Sequence, residues 1–317
     1  MKKVFITQKI PDTGIDMLKE RYSVNINKEE QFPTKEEIKK GIKDADALLC
    51  LLTDKIDKDI IDSAQKLKVI ANYAVGYDNI DIEEATNRGI MVTNTPGVLT
   101  QTTADLAWSL LMVTARRIVE GDSFTRAGRF NGWKPKLMLG YDIYGKTLGI
   151  VGTGRIGTAL ALRSQGFNMK ILYYDIKRNS TIEEKLGGEK VSLEKLLKQA
   201  DFISIHTPLT EKTYHLMGEK ELSLMKETAI LVNTSRGPVI DEEKLANALQ
   251  KKTIAGAGID VYEKEPEVNK KLIGLKNVVL TPHIGSASYE TRSKMAEIAA
   301  HSIIDVLEGR TPKNVVN

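Results

Sequence analysis

The sequence predicts an α/β protein of two domains, each built on a largely parallel sheet covered by helices on both faces. Three observations carry that prediction. Short apolar runs alternate with helical patterns along most of the chain, as parallel strands joined by helical crossovers require. Three glycines, Gly152, Gly154 and Gly157, interrupt one such run at G-x-G-x-x-G spacing and open a second alternating series. A length of 317 residues also exceeds the roughly 250 that a single hydrophobic core supports.

The elements follow in order. In the first series, residues 4–7, 23–27, 47–52, 69–74 and 91–94 read as strands. One intervening helix opens with Thr34-Lys35-Glu36-Glu37, the spacing of a capping box, with Pro33 just before it. Ala104, Leu106, Ala107, Leu110, Leu111 and Ala115 share helical register and predict a long helix. The pattern loosens over residues 121–145, a stretch rich in Gly, Arg, Trp and Tyr. The second series contributes strands at 149–151, 171–174, 202–206, 229–233, 255–261 and 278–281, six strands with the glycines after the first. Residues 289–308 form a last helix striped by Met295, Ile298, Ala299, Ile303 and Val306. It lies beyond the six-stranded unit and is expected to return to the N-terminal domain. The first domain is then discontinuous, 1–99 with 286–317, around a second domain at 100–285, and the two crossings are expected to frame a cleft.

Composition is that of an ordinary globular protein, 41% hydrophobic and 28% charged. The net charge of +4 is mild, and no Lys/Arg run is dense enough to read as a nucleic-acid surface. The N-terminus carries too few apolar residues for a signal peptide, and no apolar stretch approaches the roughly 18 residues of a membrane helix. Neither a nucleic-acid nor a membrane partner is expected. Cys50 is the one cysteine, which excludes a disulfide within the chain and is compatible with a reducing, cytoplasmic location.

The glycine pattern has a chemical reading. Gly152 permits a tight turn, Gly154 lets the backbone approach a pyrophosphate, and Gly157 lets helix and strand pack closely. The helix read from Ala159, Leu160, Ala161 and Leu162 offers the N–H groups of its N-terminus to the phosphates, and Arg155 and Ile156 in the glycine loop are counted with the cofactor site. Asp175 ends the next strand 18 residues after Gly157, near the roughly 20 expected for the carboxylate that holds the adenine-side ribose. Strand, glycines, helix, strand and acid together point to a dinucleotide site.

Hydride transfer to a ketone also needs a cation for the substrate, a proton donor and a partner for that donor. Arg236, Glu265 and His283 each follow a predicted strand of the second domain, at the end where open parallel sheets bind ligands. Taken singly, each also reads as an ordinary loop residue. Their company decides otherwise. Gly152–Gly157, Asp175, the segment 233–237 with Asp241, the segment 260–266 and Pro282-His283-Ile284-Gly285 resemble the D-2-hydroxyacid dehydrogenase family. So do residues 72–81, Ala104-Asp105-Leu106-Ala107 and His206-Thr207-Pro208-Leu209-Thr210, so the resemblance covers nearly the whole chain.

That resemblance implies two Rossmann-like doubly wound domains, the substrate domain discontinuous and flavodoxin-like, with an interdomain cleft. It implies that Arg236 anchors a 2-oxo acid, that His283 is the general acid in reduction, and that Glu265 orients His283 and favours its protonated ring. It gives the N–H groups of Val75 and Gly76 the substrate carboxylate. Thr234 and Asp260 match positions on the nicotinamide side, and Thr103, Thr207 and Pro208 positions near the cofactor. No metal is implied. Asp175 would repel a 2′-phosphate, which favours NAD; Lys177 and Arg178 follow directly and leave NADP open. His206, ending a strand, His215, beginning a helix, and His301, on the last helix, are given structural roles.

The segment 132–147 resembles the glyoxylate/hydroxypyruvate reductase branch most closely. It implies a homodimer through the nucleotide-binding domains, with Trp133 near the neighbour's site; packing of Trp133 inside its own subunit is the alternative. A small 2-oxo acid, glyoxylate or hydroxypyruvate, is thus the expected substrate. D-3-phosphoglycerate oxidation remains the rival within the class, although no additional cations can be assigned to a phosphate. An NADH-sensing corepressor that binds peptides is the rival outside it, although no regulatory extension is expected in this length. Formate oxidation is disfavoured, because that branch carries an amide where this chain has Glu265.

Overall fold

Continuously apolar strands bury both faces, and the chain satisfies them with two parallel sheets, each sandwiched by helices. The structure, a computed structural model, describes residues 1–27 and 32–317. It divides into two compact units, Met1–Leu99 with Ser286–Asn317, and Thr100–Gly285.

The first unit runs β1 (Lys3–Ile6), α1 (Asp12–Lys19), β2 (Ser23–Ile26), α2 (Lys35–Ile42), β3 (Ala47–Cys50), α3 (Lys58–Ser63), β4 (Val69–Asn72), α4 (Ile82–Asn87) and β5 (Met91–Thr93). Its strands are parallel in the order β2-β1-β3-β4-β5. Central β3 and β4 are buried throughout, whereas edge strand β2 alternates between exposed and half-buried residues. The capping box at α2 forms as its spacing predicts: Glu37 N–H donates to Thr34 Oγ1 at 3.3 Å, and Thr34 N–H to Glu37 Oε2 at 2.8 Å.

The second unit runs α5 (Thr100–Ala115), α6 (Ile118–Arg126), β6 (Thr147–Val151), α7 (Arg155–Arg163), β7 (Lys170–Tyr174), α8 (Ser180–Leu186), β8 (Glu189–Lys190), α9 (Leu193–Gln199), β9 (Phe202–Ile205), α10 (Glu219–Leu224), β10 (Ile230–Asn233), α11 (Glu242–Gln250), β11 (Gly256–Ile259), α12 (Lys270–Ile273) and β12 (Val278–Leu280). Its sheet has seven parallel strands in the order β12-β11-β10-β9-β6-β7-β8. The chain proceeds outward from β6 to β8, then returns to the other side of β6 for β9. Such a reversal leaves a crevice beyond the strand ends.

Two elements depart from the sequence expectation. The sheet has a seventh strand, because β8 adds two residues to the edge beside β7, too few to carry an alternating pattern. Residues 121–126, expected to be irregular, lie in α6. This helix buries no residue within its own chain and so shows no apolar stripe. It is held instead by local bonds, among them Arg126–Asp122 at 2.9 Å and Arg117–Glu120 at 2.8 Å.

After β12 the chain re-enters the first unit as α13 (Tyr289–Leu307), which packs on α1 and β4 with Met295, Ala296, Ala299, Ile303 and Leu307 buried. Fully burying each of its larger apolar side chains contributes about 1.5–3 kcal/mol, which ties this distant segment to the N-terminal sheet. Among the described residues no helix is long and apolar enough to cross a membrane.

Candidate active site

All strands of the second unit run the same way, so the loops after β6, β7, β9, β10, β11 and β12 emerge at one edge of the sheet. These loops hold the glycines, Asp175, Thr207, Thr234 with Arg236, Glu265 and His283, in that order.

At the reversal point, Gly152 turns with φ +91°, and a Cβ there would stand 2.8 Å from the His206 carbonyl carbon. A Cβ on Gly157 would overlap the Gly152 carbonyl oxygen at 2.1 Å, so α7 approaches β6 this closely only because position 157 lacks a side chain. Gly154, the N-cap of α7, is different: a Cβ there meets nothing within 4 Å. Its bareness serves no packing need of the protein and leaves open space at the first turn of α7. There the N–H groups of Arg155, Ile156 and Gly157 precede the first intrahelical acceptors.

Asp175 braces the glycine loop from β7. Its Oδ2 accepts from Thr153 N–H at 2.6 Å and Thr153 Oγ1 at 3.0 Å, and its Oδ1 accepts from Lys177 N–H at 3.3 Å. Burial works to raise its pKa, but these hydrogen bonds outweigh it and hold the carboxyl below its ordinary value. An ionised carboxylate has about four lone-pair sites, so Oδ1 retains capacity for a hydroxyl. Arg178 is committed to Glu183 by bonds of 3.1–3.2 Å.

Thr207 and Thr234, after β9 and β10, have buried hydroxyls with no partner among the described residues. Leaving a buried hydroxyl unpaired costs about 1–3 kcal/mol, which a ligand with polar edges would recover. Open space at Gly154, free acceptor capacity at Asp175 and two orphaned hydroxyls on neighbouring strand ends together fit a dinucleotide laid along this edge. Thr103 and Asp260 are used differently. Thr103 Oγ1 donates to the Gly285 carbonyl at 3.0 Å. Asp260, fully buried, accepts from Thr281 Oγ1 at 2.6 Å and from the N–H groups of Ile284 and Gly285 at 2.8 Å each. Both therefore clamp the loop that carries His283. Pro208 is exposed, and its carbonyl accepts from Thr213 Oγ1 at 2.7 Å.

Arg236, Glu265 and His283 sit on three adjacent loops. Buried Asn233 shapes the first: its Oδ1 accepts from Ser235 N–H at 3.0 Å, and its Nδ2 donates to the Arg236 carbonyl at 2.9 Å. Gly237 then packs on the Tyr262 peptide, where a Cβ would come within 1.9 Å of the carbonyl carbon. Glu265 is held by Tyr262 N–H at 3.0 Å on one oxygen and meets His283 Nδ1 at 2.8 Å with the other. Burial pushes its carboxyl up. The hydrogen bond and charge of His283, with the Arg236 guanidinium contributing, more than reverse that and hold it below its usual value. A carboxylate only accepts, so Nδ1 carries a proton and Nε2 is the ring nitrogen available for chemistry. His283 itself adopts φ +52°, an uncommon backbone for a residue with a side chain, and its N–H is tied to the Asp260 carbonyl at 2.9 Å.

In the first unit, Val75 and Gly76 follow β4 in a turn whose carbonyls are all spoken for. The Ala74 carbonyl accepts from Thr95 N–H at 2.8 Å, that of Val75 from Asn94 Nδ2 at 2.7 Å, and that of Gly76 from Asn72 Nδ2 at 2.9 Å.

The remaining histidines have other partners. His206 bonds Ser204 Oγ at 2.8 Å through Nε2 and is pushed down to about 3 by burial, so it stays neutral. His215 does not begin a helix: it sits in a turn at φ +49°, and α10 starts four residues later, at Glu219. Its Nε2 lies 2.8 Å from Glu263 Oε1, a second His–carboxylate pair for which no local pattern provides a signal. His301 lies exposed on α13. Sequence reasoning also missed Asn72, Asn94 and Asn233. The available signal was an amide at or just past a strand end, ahead of a turn.

Comparison with known proteins places this arrangement. The family described as D-isomer specific 2-hydroxyacid dehydrogenase, NAD binding domain, matches residues 108–285. A glyoxylate reductase from Thermococcus litoralis is 56% identical over 319 residues, covering 99% of this chain and 96% of the relative. Among solved structures, the TT0316 protein from Thermus thermophilus superimposes with a TM-score of 0.94 at 45% identity, covering 99% of this chain and 100% of that one. An NADPH-dependent glyoxylate/hydroxypyruvate reductase from Sinorhizobium meliloti, solved with NADP and malonate, gives a TM-score of 0.87 at 31% identity, covering 99% of this chain and 96% of that one.

Proposed function

The chain belongs to the D-isomer specific 2-hydroxyacid dehydrogenase family, and from that premise we propose that it reduces glyoxylate, and hydroxypyruvate beside it, with NADH. The observation that carries the chemistry is the His283 Nδ1–Glu265 Oε2 bond of 2.8 Å, next in space to the loop of Arg236. The substrate reading is supported by the relatives at 50–56% identity, which are glyoxylate reductases.

Bound nicotinamide supplies the hydride. Arg236 holds the 2-oxo acid and polarises its carbonyl as negative charge grows on the oxygen. His283 donates the Nε2 proton to that oxygen, while ionised Glu265 keeps the ring in its orientation and stabilises its charged form before transfer. In oxidation the same nitrogen accepts the proton. Val75 and Gly76 take the substrate carboxylate on their N–H groups. The loop glycines with Arg155 and Ile156, the Asp175 carboxylate and the hydroxyls of Thr207 and Thr234 take the cofactor. Pro208 stands beside them, and Thr103 and Asp260 act through the His283 loop. NAD is favoured because Asp175 is ionised and Arg178 is occupied by Glu183, which leaves a 2′-phosphate facing a carboxylate.

A homodimer completes the proposal. The second unit exposes Ile118, Phe130, Trp133, Leu139 and Tyr144, each at least half accessible and all within 27 residues, and α6 buries nothing of its own. We place the protein in the cytoplasm, where its buried, unpaired Cys50 stays reduced.

Specificity constants for glyoxylate, hydroxypyruvate, pyruvate and 3-phosphohydroxypyruvate, each with NADH and NADPH, test the reading. Glyoxylate or hydroxypyruvate with NADH should exceed every other combination by about tenfold or more, a transition-state difference of about 1.4 kcal/mol. Preference for the phosphorylated acid would replace the substrate, and turnover with none of them would remove the enzymatic reading.

A further inference from the structure

A peptide unit points its C=O and N–H in opposite directions when trans, and the one cis bond among the described residues is Glu265–Pro266. Three successive carbonyls after β4 are tied inward: Ala74 by Thr95 N–H, Val75 by Asn94 Nδ2 and Gly76 by Asn72 Nδ2. The N–H groups of Val75, Gly76 and Tyr77 must therefore face the other way. Successive backbone N–H groups in a turn are the donors from which anion-binding concavities are built.

The two amides are themselves over-determined. Asn72 is fully buried, and its second proton goes to Asn79 Oδ1 at 3.0 Å. Asn79 spends both of its protons on the carbonyls of Leu51 and Asp54, at 3.0 Å each. Asn94 is 8% exposed, and its backbone pairs with Asn314, the N–H donating to the Asn314 carbonyl at 3.3 Å. Only a side chain offering N–H donors satisfies these sites. An aspartate of the same shape would set negative charge against the carbonyls.

The geometry points to Asn94 as a positioning residue that aims the Gly76 N–H at the substrate carboxylate, with Asn72 setting the N–H of Tyr77 beside it. This inference rests on the proposed role of Val75 and Gly76. Each amide holds a carbonyl, and the carbonyl turns the N–H of the next residue.

The test compares oxamate, which carries a carboxylate, with neutral oxamide as inhibitors of the full-length protein in the presence of NADH, in wild type and Asn94→Leu. The leucine keeps the branched shape and removes the donor; Asn94→Ala, which also has no donor, serves should the first variant fail to fold. The inhibition constant of oxamate and the KM of glyoxylate should rise together by about tenfold, the loss of roughly 1.4 kcal/mol, while kcat and the NADH dissociation constant stay within about threefold. An unchanged oxamate constant with intact NADH binding overturns the inference, as does a matching loss of NADH affinity, which marks general damage. The two layers separate cleanly. Equal inhibition of the wild type by oxamate and oxamide removes the carboxylate role of Val75 and Gly76, and the asparagine roles with it. If wild type and variant both discriminate to the same degree, only the asparagine roles fall.

Discussion

Burial works against the charge of Glu265, and the residue that chiefly compensates is its own partner, His283. The sign of the pH dependence follows. A carboxyl held below its ordinary value of 4.5 stabilises the fold fully above that pH and loses the contribution as pH falls through its lowered, folded value. Glu265→Gln keeps the shape and gives up the charge. The gap in thermal midpoint between wild type and this variant should close as pH falls below 4.5. In catalysis, the variant should lose about 10–100-fold in reductive kcat with unchanged NADH affinity. A midpoint gap that widens in acid, or an unchanged kcat, contradicts the pairing. At this scale the sequence was legible in placement: Arg236, Glu265 and His283 follow three adjacent strands, as their positions after predicted strands implied. His215 was misplaced, because nothing local announced that Glu263 would meet it from 48 positions away at 2.8 Å.

The glycine loop separates two reasons for a missing side chain. Gly157 is bare because the Gly152 carbonyl stands 2.1 Å from where its Cβ would be; Gly154 is bare although its surroundings are empty. Gly157→Ala should therefore destabilise the cofactor-free protein, by about 1–3 kcal/mol for a forced backbone shift. Gly154→Ala should leave its melting temperature unchanged and weaken NADH binding by tenfold or more, about 1.4 kcal/mol. Calorimetric melting of the free proteins and NADH titration distinguish the two, and equal effects at both positions would deny Gly154 its place against a phosphate. The same contrast explains which elements were readable. Central strands such as β3, β4 and β10 are buried throughout and print a continuous apolar run. Edge strand β8 is two residues long, and α6 buries nothing within its chain, so neither leaves a periodicity to read.

At the scale of the whole molecule, the exposed face around α6 is the surface on which the proposed homodimer is tested. Trp133 is 83% accessible, which removes the alternative that it packs inside its own subunit. A charge on this face would have to be desolvated in a dimer but costs nothing in a monomer. Trp133→Asp should shift sedimentation from twice the chain mass to a single chain at micromolar protein, while NADH still binds. A wild type that sediments as a single chain, or a variant that remains paired, would move the interface elsewhere or remove it. The second large-scale feature, the return of α13 to the first unit, was visible because its apolar stripe had no role in the series that precedes it.

What the sequence determined by itself was local: most of the strands and helices, the glycine spacing after β6, and the places of Arg236, Glu265 and His283 just past strand ends. Period and spacing are properties of neighbours along the chain, and they survive without coordinates. What only tertiary structure decided was partnership. Asn94 and Asn72 hold the carbonyls of Val75 and Gly76, Asp260 and Thr103 clamp the His283 loop, Arg178 is taken by Glu183, and β8 pairs with β7 at an edge. A hydrogen bond forms between groups that packing brings within about 3 Å, and packing is set by the burial of surfaces far apart in sequence.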